Sequence, residues 1–196
     1  MRIANTRVLV VAVLCVLVTA LLVRGRSAPG QALTQAAPKL RWDMVNVNPD
    51  LSVNRGAGTA LAEDGSRIVM TGGGTFNPNL QFSSNVTGGG TWETQDASGN
   101  VTGNGRYQVE ALVRFELAPG TLPCPPFTDN SGKCEDTRAG LVFLSIGYSD
   151  GSKGVLVVSC HLAGTPDSVF EGITASKGFV DFWRQESGET LYHELK

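Results

Sequence analysis

Residues 139–183 read AGLVFLSIGYSDGSKGVLVVSCHLAGTPDSVFEGITASKGFVDFW and contain two apolar runs joined by a turn. The runs occupy residues 141–148 and 155–162, and Asp150-Gly151 lies between them. An Asp-Gly pair between two apolar runs is a strong β-hairpin signal. Because successive strand residues face opposite sides of a sheet, each run presents one aliphatic face. The sequence therefore predicts a hairpin with that face in the core.

A second strand is predicted from strict alternation in residues 107–117. The apolar positions are Tyr107, Val109, Ala111, Val113, Phe115 and Leu117. Alternation of this kind is typical of antiparallel strands with one face in water. Turn signals recur often, and no helical hydrophobic period of useful length follows residue 32. We expect an all-β fold, a single antiparallel β-barrel, with a β-sandwich as the alternative.

Two near-copies of one hexapeptide, TGGGTF at residues 71–76 and TGGGTW at residues 87–92, precede that strand. Three successive glycines could provide a backbone cradle for an anion. They could equally begin a bent strand whose aromatic residue fills the end of the core. Neither copy is followed by a phosphate-loop lysine or by a helix pattern, which favours the structural interpretation.

The N-terminal residues 1–32 have the pattern of a membrane-targeting segment. Arg2 and Arg7 precede an apolar run at residues 8–23, and Arg24-Gly25-Arg26 follow it. The run is short for a spanning helix, which favours a signal peptide cleaved near Ala32, with an uncleaved membrane anchor as the alternative. We expect a linker at residues 33–39, one all-β domain at residues 40–196, and an extracellular or cell-surface location.

The charge of the chain excludes some partners. Residues 33–196 carry 12 Lys and Arg, once the four arginines of the first 32 residues are set aside, against 18 Asp and Glu, a formal net charge of −6. A mildly acidic domain without a basic stripe is a poor candidate for nucleic acid or for docking on anionic lipid. We therefore expect contact with a membrane only through the N-terminal segment.

Three cysteines follow the N-terminal segment. Cys124 and Cys134 bracket a short polar loop, which in an oxidising compartment predicts a disulfide that closes a surface loop. Cys160 lies on the aliphatic face of the hairpin and is expected to be a buried free thiol. The chain has no Cys-x-x-Cys pair and only two histidines, His161 and His193, so we expect no metal site and no cofactor.

The C-terminal third of the chain resembles a known family. AGTPDSVFEGI at residues 163–173, followed by GFVDF at residues 178–182, is similar to the late glycine-rich signature of allene oxide cyclase and dirigent-like β-barrels. The resemblance implies an eight-stranded barrel of the calycin or allene-oxide-cyclase type with a mostly apolar lumen. Members of that superfamily act on or guide small hydrophobic molecules. Pro166-Asp167 replaces the usual glycine pair, and no catalytic residue of either family matches a position here, so no activity is carried over.

Three residues of this region are candidates for acid–base catalysis: His161, Glu171 and Asp181. A carboxylate turned toward an apolar interior has a raised pKa and can act as a general acid or base. The alternative is that Glu171 and Asp181 are solvated strand residues, that Asp167 caps a turn, and that His161 is a structural strand histidine.

A ligand-binding face follows from the parity of the hairpin. The face with Cys160 is committed to aliphatic packing, so the opposite face mixes apolar area with a few polar groups, as small-molecule sites do. The residues of this predicted ligand-binding face are Val155, Val157, Ser159 and His161. In a closed barrel this face could line the lumen.

Two classes of function remain open at this point. The first is a non-enzymatic extracytoplasmic domain, with a structural role or binding a small hydrophobic molecule or an extracellular partner. The second is a small enzyme that uses His161 and a carboxylate on a hydrophobic substrate. The absence of a nucleophile, metal or cofactor motif favours the first class. The two differ in whether His161 converges with Glu171 or Asp181 in an enclosed apolar pocket.

Overall fold

The computed structural model describes residues 38–196, in which nearly every element is a β-strand. The signal peptide or anchor expected at residues 1–32, and residues 33–37 of the linker, lie outside the described residues. Within the described part of the chain, no helix is both long enough and apolar enough to cross a membrane.

Fourteen strands and one short 3-10 helix make up the domain. The strands are β1 (Lys39–Val47), β2 (Ser52–Arg55), β3 (Ala57–Leu61), β4 (Arg67–Thr71), β5 (Gly73–Phe76), β6 (Val86–Gln95), β7 (Val101–Ala118), β8 (Thr128–Asp129), β9 (Thr137–Tyr148), β10 (Lys153–Cys160), β11 (Gly172–Lys177), β12 (Val180–Phe182), β13 (Arg184–Ser187) and β14 (Glu189–Leu195). The 3-10 helix η1 is Cys134–Asp136.

Six of these strands form a closed antiparallel barrel. The ring runs in the order β1, β5, β6, β7, β9 and β14, and the pairing of β14 with β1 closes it. Outer strands continue the sheet, with β10, β11 and β12 beyond β9, and β4, β3 and β13 beyond β6. The all-β single-barrel prediction is confirmed, and the ring has six strands where the resemblance implies eight.

The barrel interior is filled by large apolar side chains. Phe76, Phe115 and Tyr192 form an aromatic cluster with ring centroids 5.0 to 6.2 Å apart. The largest fully buried side chains are Trp42, Tyr192, Phe76, Met44, Ile68, Met70, Leu112, Leu144, Ile146, Leu156, Ile173 and Leu191. Eight of them lie on strands of the ring, and those on β4, β10 and β11 belong to the same core cluster, so the interior is a packed core. These eight are Trp42, Met44, Phe76, Leu112, Leu144, Ile146, Leu191 and Tyr192.

The central hairpin is formed by β9 and β10, as predicted. Leu156 pairs with Leu144 and Val158 with Val142, and all four side chains are fully buried. Cys160 is a buried free thiol at the end of the same face, and Cys124 and Cys134 form a disulfide. Both cysteine predictions are confirmed.

The cysteine pattern can be checked by counting thiols in native protein that comprises residues 33–196 alone. One thiol should react slowly and none quickly, because Cys160 is fully buried and burial raises its pKa well above the ordinary value, so little reactive thiolate forms. In denaturant the same single thiol should react at once. Two fast thiols in the native protein would contradict the disulfide.

Strand β7 departs from the predicted alternation. Register shifts between Val109 and Ala111, and again between Leu112 and Arg114, mark two β-bulges. Each bulge adds one residue to the strand and reverses which side chains point inward. The expected face was therefore wrong between the two bulges, where Leu112 is buried in place of Ala111 and Val113. The second bulge restores the predicted parity, and Phe115 is buried as expected, while Leu117 at the end of the strand is 64% exposed.

The two glycine-rich hexapeptides are neighbouring strands. Gly73 pairs with Gly89 and Gly74 with Gly88. A Cβ at Gly74 would lie 2.8 Å from the Trp42 indole nitrogen, and one at Gly88 would lie 3.0 Å from the same ring. The aromatic residues that follow, Phe76 and Trp92, are buried in the core. The nearest atom to a Cβ at Gly74 is the Thr87 carbonyl oxygen at 2.1 Å. The geometry thus favours the structural interpretation, in which the glycines let β5 and β6 approach closely and also make room for Trp42.

Candidate functional site

A second apolar layer lies on the outside of the barrel, where residues 119–136 cover β1 and β14. Val45 and Leu191 are on the opposite face of their strands from Met44 and Tyr192, which point into the barrel. Both are nevertheless buried, because Leu122 and Phe127 of the covering segment pack over this part of the barrel. The disulfide Cys124–Cys134 closes the covering segment on itself.

This layer borders a small, partly open cavity of about 130 Å³, which we call the side cavity. Its lining is mostly aliphatic and aromatic, with two carboxylates, a histidine and a threonine toward one side. The lining residues are Val45, Val47, Val53, Leu122, Phe127, His161, Leu162, Glu171, Glu189, Thr190 and Leu191. An apolar cavity with a few convergent polar groups is the ordinary form of a small-molecule site.

Glu171 lies just before β11 and is held by donors from two other segments. Its Oε1 accepts from the backbone N–H of Thr190 at 2.6 Å and from the Thr190 hydroxyl at 3.3 Å. Its Oε2 accepts from the backbone N–H of His161. Burial raises the pKa of Glu171 from its ordinary 4.5 to about 7, although these hydrogen bonds act to lower it. The carboxyl group therefore changes charge near neutral pH.

The His161 ring is held by the backbone and not by Glu171. Its Nδ1 lies 2.7 Å from the carbonyl oxygen of Val169. A carbonyl can only accept, so Nδ1 carries the proton and Nε2 keeps its lone pair in the neutral ring. Within residues 38–196, no hydrogen bond joins the ring to Glu171. The two candidates thus share the side cavity without forming an imidazole–carboxylate pair.

The remaining predicted site residues lie elsewhere. Asp181 is exposed on β12 opposite Ser176 and does not face the core, so it does not converge with His161. Val155 is 38% exposed, and Val157 is partly exposed on the same face of β10. Ser159 is buried, and its hydroxyl donates a hydrogen bond of 2.5 Å to the carbonyl oxygen of Phe170. Of the predicted ligand-binding face, only His161 lines the side cavity. The Cys160 face is the one that packs in the hydrophobic core.

A buried polar network that was not predicted from the sequence lies beside the side cavity. His193 Nε2 lies 2.7 Å from the Asp129 carboxylate, and the two side chains are only 3% and 1% exposed. On the other side of the ring, Arg41 Nη2 lies 3.0 Å from His193 Nδ1, and Arg41 also binds Asp43 at 2.6 Å. We call these four residues the Asp129–His193 network.

The donors in this network fix its proton positions. Arginine can only donate, so His193 Nδ1 accepts and Nε2–H donates to Asp129. The other oxygen of Asp129 accepts from the N–H groups of Ser131 and Gly132 at 2.8 and 3.0 Å, and from the Ser131 hydroxyl at 2.7 Å. Burial raises the pKa of Asp129, but the hydrogen bonds from His193 and Ser131 outweigh it and hold the pKa below the ordinary value. The network therefore ties the disulfide loop to β1 and β14.

No sequence motif predicts this network, because Asp129 and His193 are 64 residues apart. The one local signal is the Asp-x-Ser sequence at Asp129 and Ser131, which predicts a turn held by the carboxylate. The same turn occurs at exposed positions, for example at Asp50 and Ser52. That signal alone does not separate the buried aspartate from the others.

Among residues 38–196, no group of three or more His, Cys, Asp or Glu side chains is placed to hold a metal ion. The fold and the site together define a single antiparallel β-barrel with a side cavity beneath a disulfide-closed loop. Compared with protein-family models, curated proteins and solved structures, the chain matches none.

Proposed function

We propose that this chain is an extracytoplasmic β-barrel domain, secreted or membrane-anchored, that binds a small and mainly apolar molecule without converting it. One observation carries the proposal: the side cavity combines apolar walls with the Glu171 carboxyl group at one side. An apolar cavity of about 150 Å³ is known to hold benzene. The side cavity, at about 130 Å³, suits a single ring or a short branched aliphatic group.

The hydrogen bonds around Glu171 support binding over catalysis. A general acid or base needs a free position from which it reaches a reacting atom. Here both oxygens of Glu171 already accept from Thr190 and from the His161 backbone, and the His161 ring is bonded to Val169. These contacts fix the walls of a cavity and leave the two groups uncoupled.

Because the barrel interior is filled by side chains, a ligand would have to lie outside it. The resemblance to allene oxide cyclase and dirigent-like barrels implies a small hydrophobic ligand inside a lumen. In this chain Trp42, Phe76 and Tyr192 occupy the corresponding space. We therefore place such a ligand in the side cavity, between the barrel wall and the disulfide loop.

The pH dependence of binding tests the proposal. An apolar ligand displaces water from Glu171 and so prefers the uncharged carboxyl group. Affinity for single-ring probes such as benzene and p-cresol, measured by NMR titration, should be highest below pH 7 and weaken as the pH rises through 7. A ligand-induced rise of one unit in the Glu171 pKa corresponds to about tenfold weaker binding at high pH. Glu171→Gln should remove this pH dependence.

The matched control is Asp181→Asn, which removes an exposed carboxylate outside the cavity and should leave the pH profile unchanged. Affinity that increases with pH in the wild type would instead indicate a cationic ligand. Absence of binding for every probe at both pH 5.5 and pH 8.5 would refute the apolar site.

An enzyme remains the second candidate, because a carboxyl group with a pKa of about 7 is suited to acid–base work at neutral pH. Mass spectrometry of molecules that copurify with the protein provides compounds to test. Conversion of such a compound by the wild type, abolished in His161→Ala at unchanged stability, would establish the enzyme. An altered affinity with no conversion would establish the binding domain.

A further inference from the structure

One end of the barrel carries exposed apolar side chains at the point where the chain enters the domain. Strand register places the start of β1 beside the end of β14, since Lys39 pairs with Leu195. The end of β7 and the start of β9 lie at this same end, where Ala118 pairs with Ala139 and Thr137 with His193. We call it the Pro38 end, after the first residue that the structure describes.

The exposed apolar residues of the Pro38 end are Leu80, Phe82 and Leu117. Their side chains are 41%, 82% and 64% exposed. The segment that carries Leu80 and Phe82 runs beside the second half of β7, held by hydrogen bonds of 3.1 and 2.8 Å between Ser83 and Leu112. A notch of about 420 Å³ opens here, with Pro38, Leu40, Pro78, Phe115 and Leu117 in its walls.

Phe82 combines a disfavoured backbone conformation with an exposed aromatic ring. Its φ of 55° lies in the left-handed region, which is sterically disfavoured for residues other than glycine. Its ring meanwhile lies almost wholly in water. A disfavoured backbone that presents an exposed aromatic ring is a feature associated with binding surfaces.

Most charges of the Pro38 end are paired with one another, although Lys39 and Glu135 form no ion pair with a described residue. Arg114 and Glu116 lie 3.0 Å apart, and Arg138 forms an ion pair with Glu194. This end therefore presents apolar residues among mostly neutralised charges, which is suited to the interface of a zwitterionic lipid bilayer. The net charge of the domain disfavours binding to anionic lipid but does not oppose binding to zwitterionic lipid.

The opposite end of the barrel differs in charge. Four of its turns hold an aspartate whose pKa is lowered, chiefly by a hydrogen bond from a nearby side chain: Ser52, Ser66, Asn100 and Lys177 for Asp50, Asp64, Asp96 and Asp150. Ionised carboxylates are costly to bring against a lipid surface. The two ends are therefore not equivalent, since Asp50, Asp64 and Asp96 form no ion pair with a described residue, whereas Asp150 is paired with Lys177. Val101, Phe179 and Trp183 are nevertheless exposed at this acidic end.

The chain outside the structure leads from the Pro38 end toward an apolar segment. The apolar run of residues 8–23 is followed by residues 24–37, which at full extension span about 50 Å. We propose that the Pro38 end of the barrel docks on a zwitterionic lipid bilayer, with Phe82 and Leu117 in the interface, when residues 8–23 are retained in that bilayer. This docking requires that the N-terminal segment is an uncleaved membrane anchor. It does not require that the side cavity binds a ligand.

Site-specific lipid quenching tests this orientation. The full chain, in a Cys15→Ser background, would carry a polarity-sensitive fluorophore at Phe82→Cys, Leu117→Cys or Phe179→Cys and would be reconstituted in phosphatidylcholine vesicles. Cys160 is buried and the other two cysteines are bonded, so labelling is selective. Phe179 is the matched control, a fully exposed aromatic at the opposite end. Lipids with a quencher near the headgroups should quench labels 82 and 117 several times more strongly than label 179.

Three results would overturn the proposal. Equal quenching at all three positions would show that the Pro38 end has no preferred contact with lipid. Labels at 82 and 117 that are shielded from both lipid quenchers and aqueous iodide would show that protein, such as a second copy, covers this end. An intact mass showing that mature protein lacks residues 8–23 would remove the tether.

Discussion

Replacing Asp129 by alanine is expected to destabilise the folded domain by about 2 kcal/mol or more, because the substitution leaves one buried side-chain donor and two loop N–H groups, one partly buried and one exposed, without an acceptor. Those donors are the Nε2–H of His193 and the backbone N–H groups of Ser131 and Gly132. The measurement is urea unfolding at pH 7 with the disulfide intact, followed by tryptophan fluorescence. We expect a lower midpoint at an unchanged slope.

The control for this prediction is Asp50→Ala. Asp50 makes the same turn, accepting from the N–H and hydroxyl of Ser52 at 3.0 and 2.6 Å, but it is exposed to solvent. Water can satisfy the freed donors there, so little change is expected. Equal effects of the two substitutions would mean that the buried network contributes nothing beyond the local turn.

The Asp129 contribution should also depend on pH, and its sign follows from the lowered pKa. A carboxyl group with a lower pKa in the folded state stabilises that state fully above its unfolded pKa, and the contribution is lost as the pH falls through the folded value. The stability difference between wild type and Asp129→Ala should therefore be constant at neutral pH and shrink in acid. A difference that grew in acid would contradict the assigned charge.

The second large effect is expected for Gly90→Ala, which should cost about 3 kcal/mol or more or prevent folding. A Cβ at this position would lie 1.8 Å from the Thr71 carbonyl oxygen and 2.7 Å from its carbon. Both atoms belong to the backbone of the neighbouring strand, so relief requires that β4 and β6 separate. Urea unfolding and the far-ultraviolet circular dichroism of the variant would measure the effect.

Gly99→Ala is the control for Gly90→Ala. Gly99 lies in the turn between β6 and β7 with φ +85°, and a Cβ there would meet no atom within 4 Å. Its substitution should cost only the left-handed strain, about 1 kcal/mol. If Gly90→Ala were as stable as the wild type and instead lost affinity for an anion such as phosphate, the anion-cradle hypothesis would replace the structural one.

Much of the fold could be predicted because its signals are local. The β9–β10 hairpin follows from two apolar runs around Asp150-Gly151, and the buried position of Cys160 follows from strand parity alone. The Cys124–Cys134 disulfide joins residues only 10 apart, so the spacing of the two cysteines predicts it. The aromatic residues after the glycine repeats, Phe76 and Trp92, were likewise correctly expected to fill the core.

Strand β7 shows where local signals fail. Its alternation is regular in the sequence, but the strand must follow β6 over its first half and β9 over most of its length in a curved barrel. Two bulges accommodate that curvature and bring Leu112 inward in place of its neighbours. The alternation of apolar and polar residues in β7 does not predict the curvature of the strand, because that curvature depends on which strands lie on either side of it.

The sequence by itself therefore determined the all-β class, the hairpin, the disulfide and the aliphatic face of the core, since parity and turn chemistry act over a few residues. Only the tertiary structure decided that β14 closes the ring against β1 and that Asp129 meets His193. It also decided that Glu171 lies in a side cavity while Asp181 remains in water. The physical reason is that burial, and with it the pKa of a carboxyl group, depends on which distant segments cover the group. That information is absent from the spacing of residues along the chain.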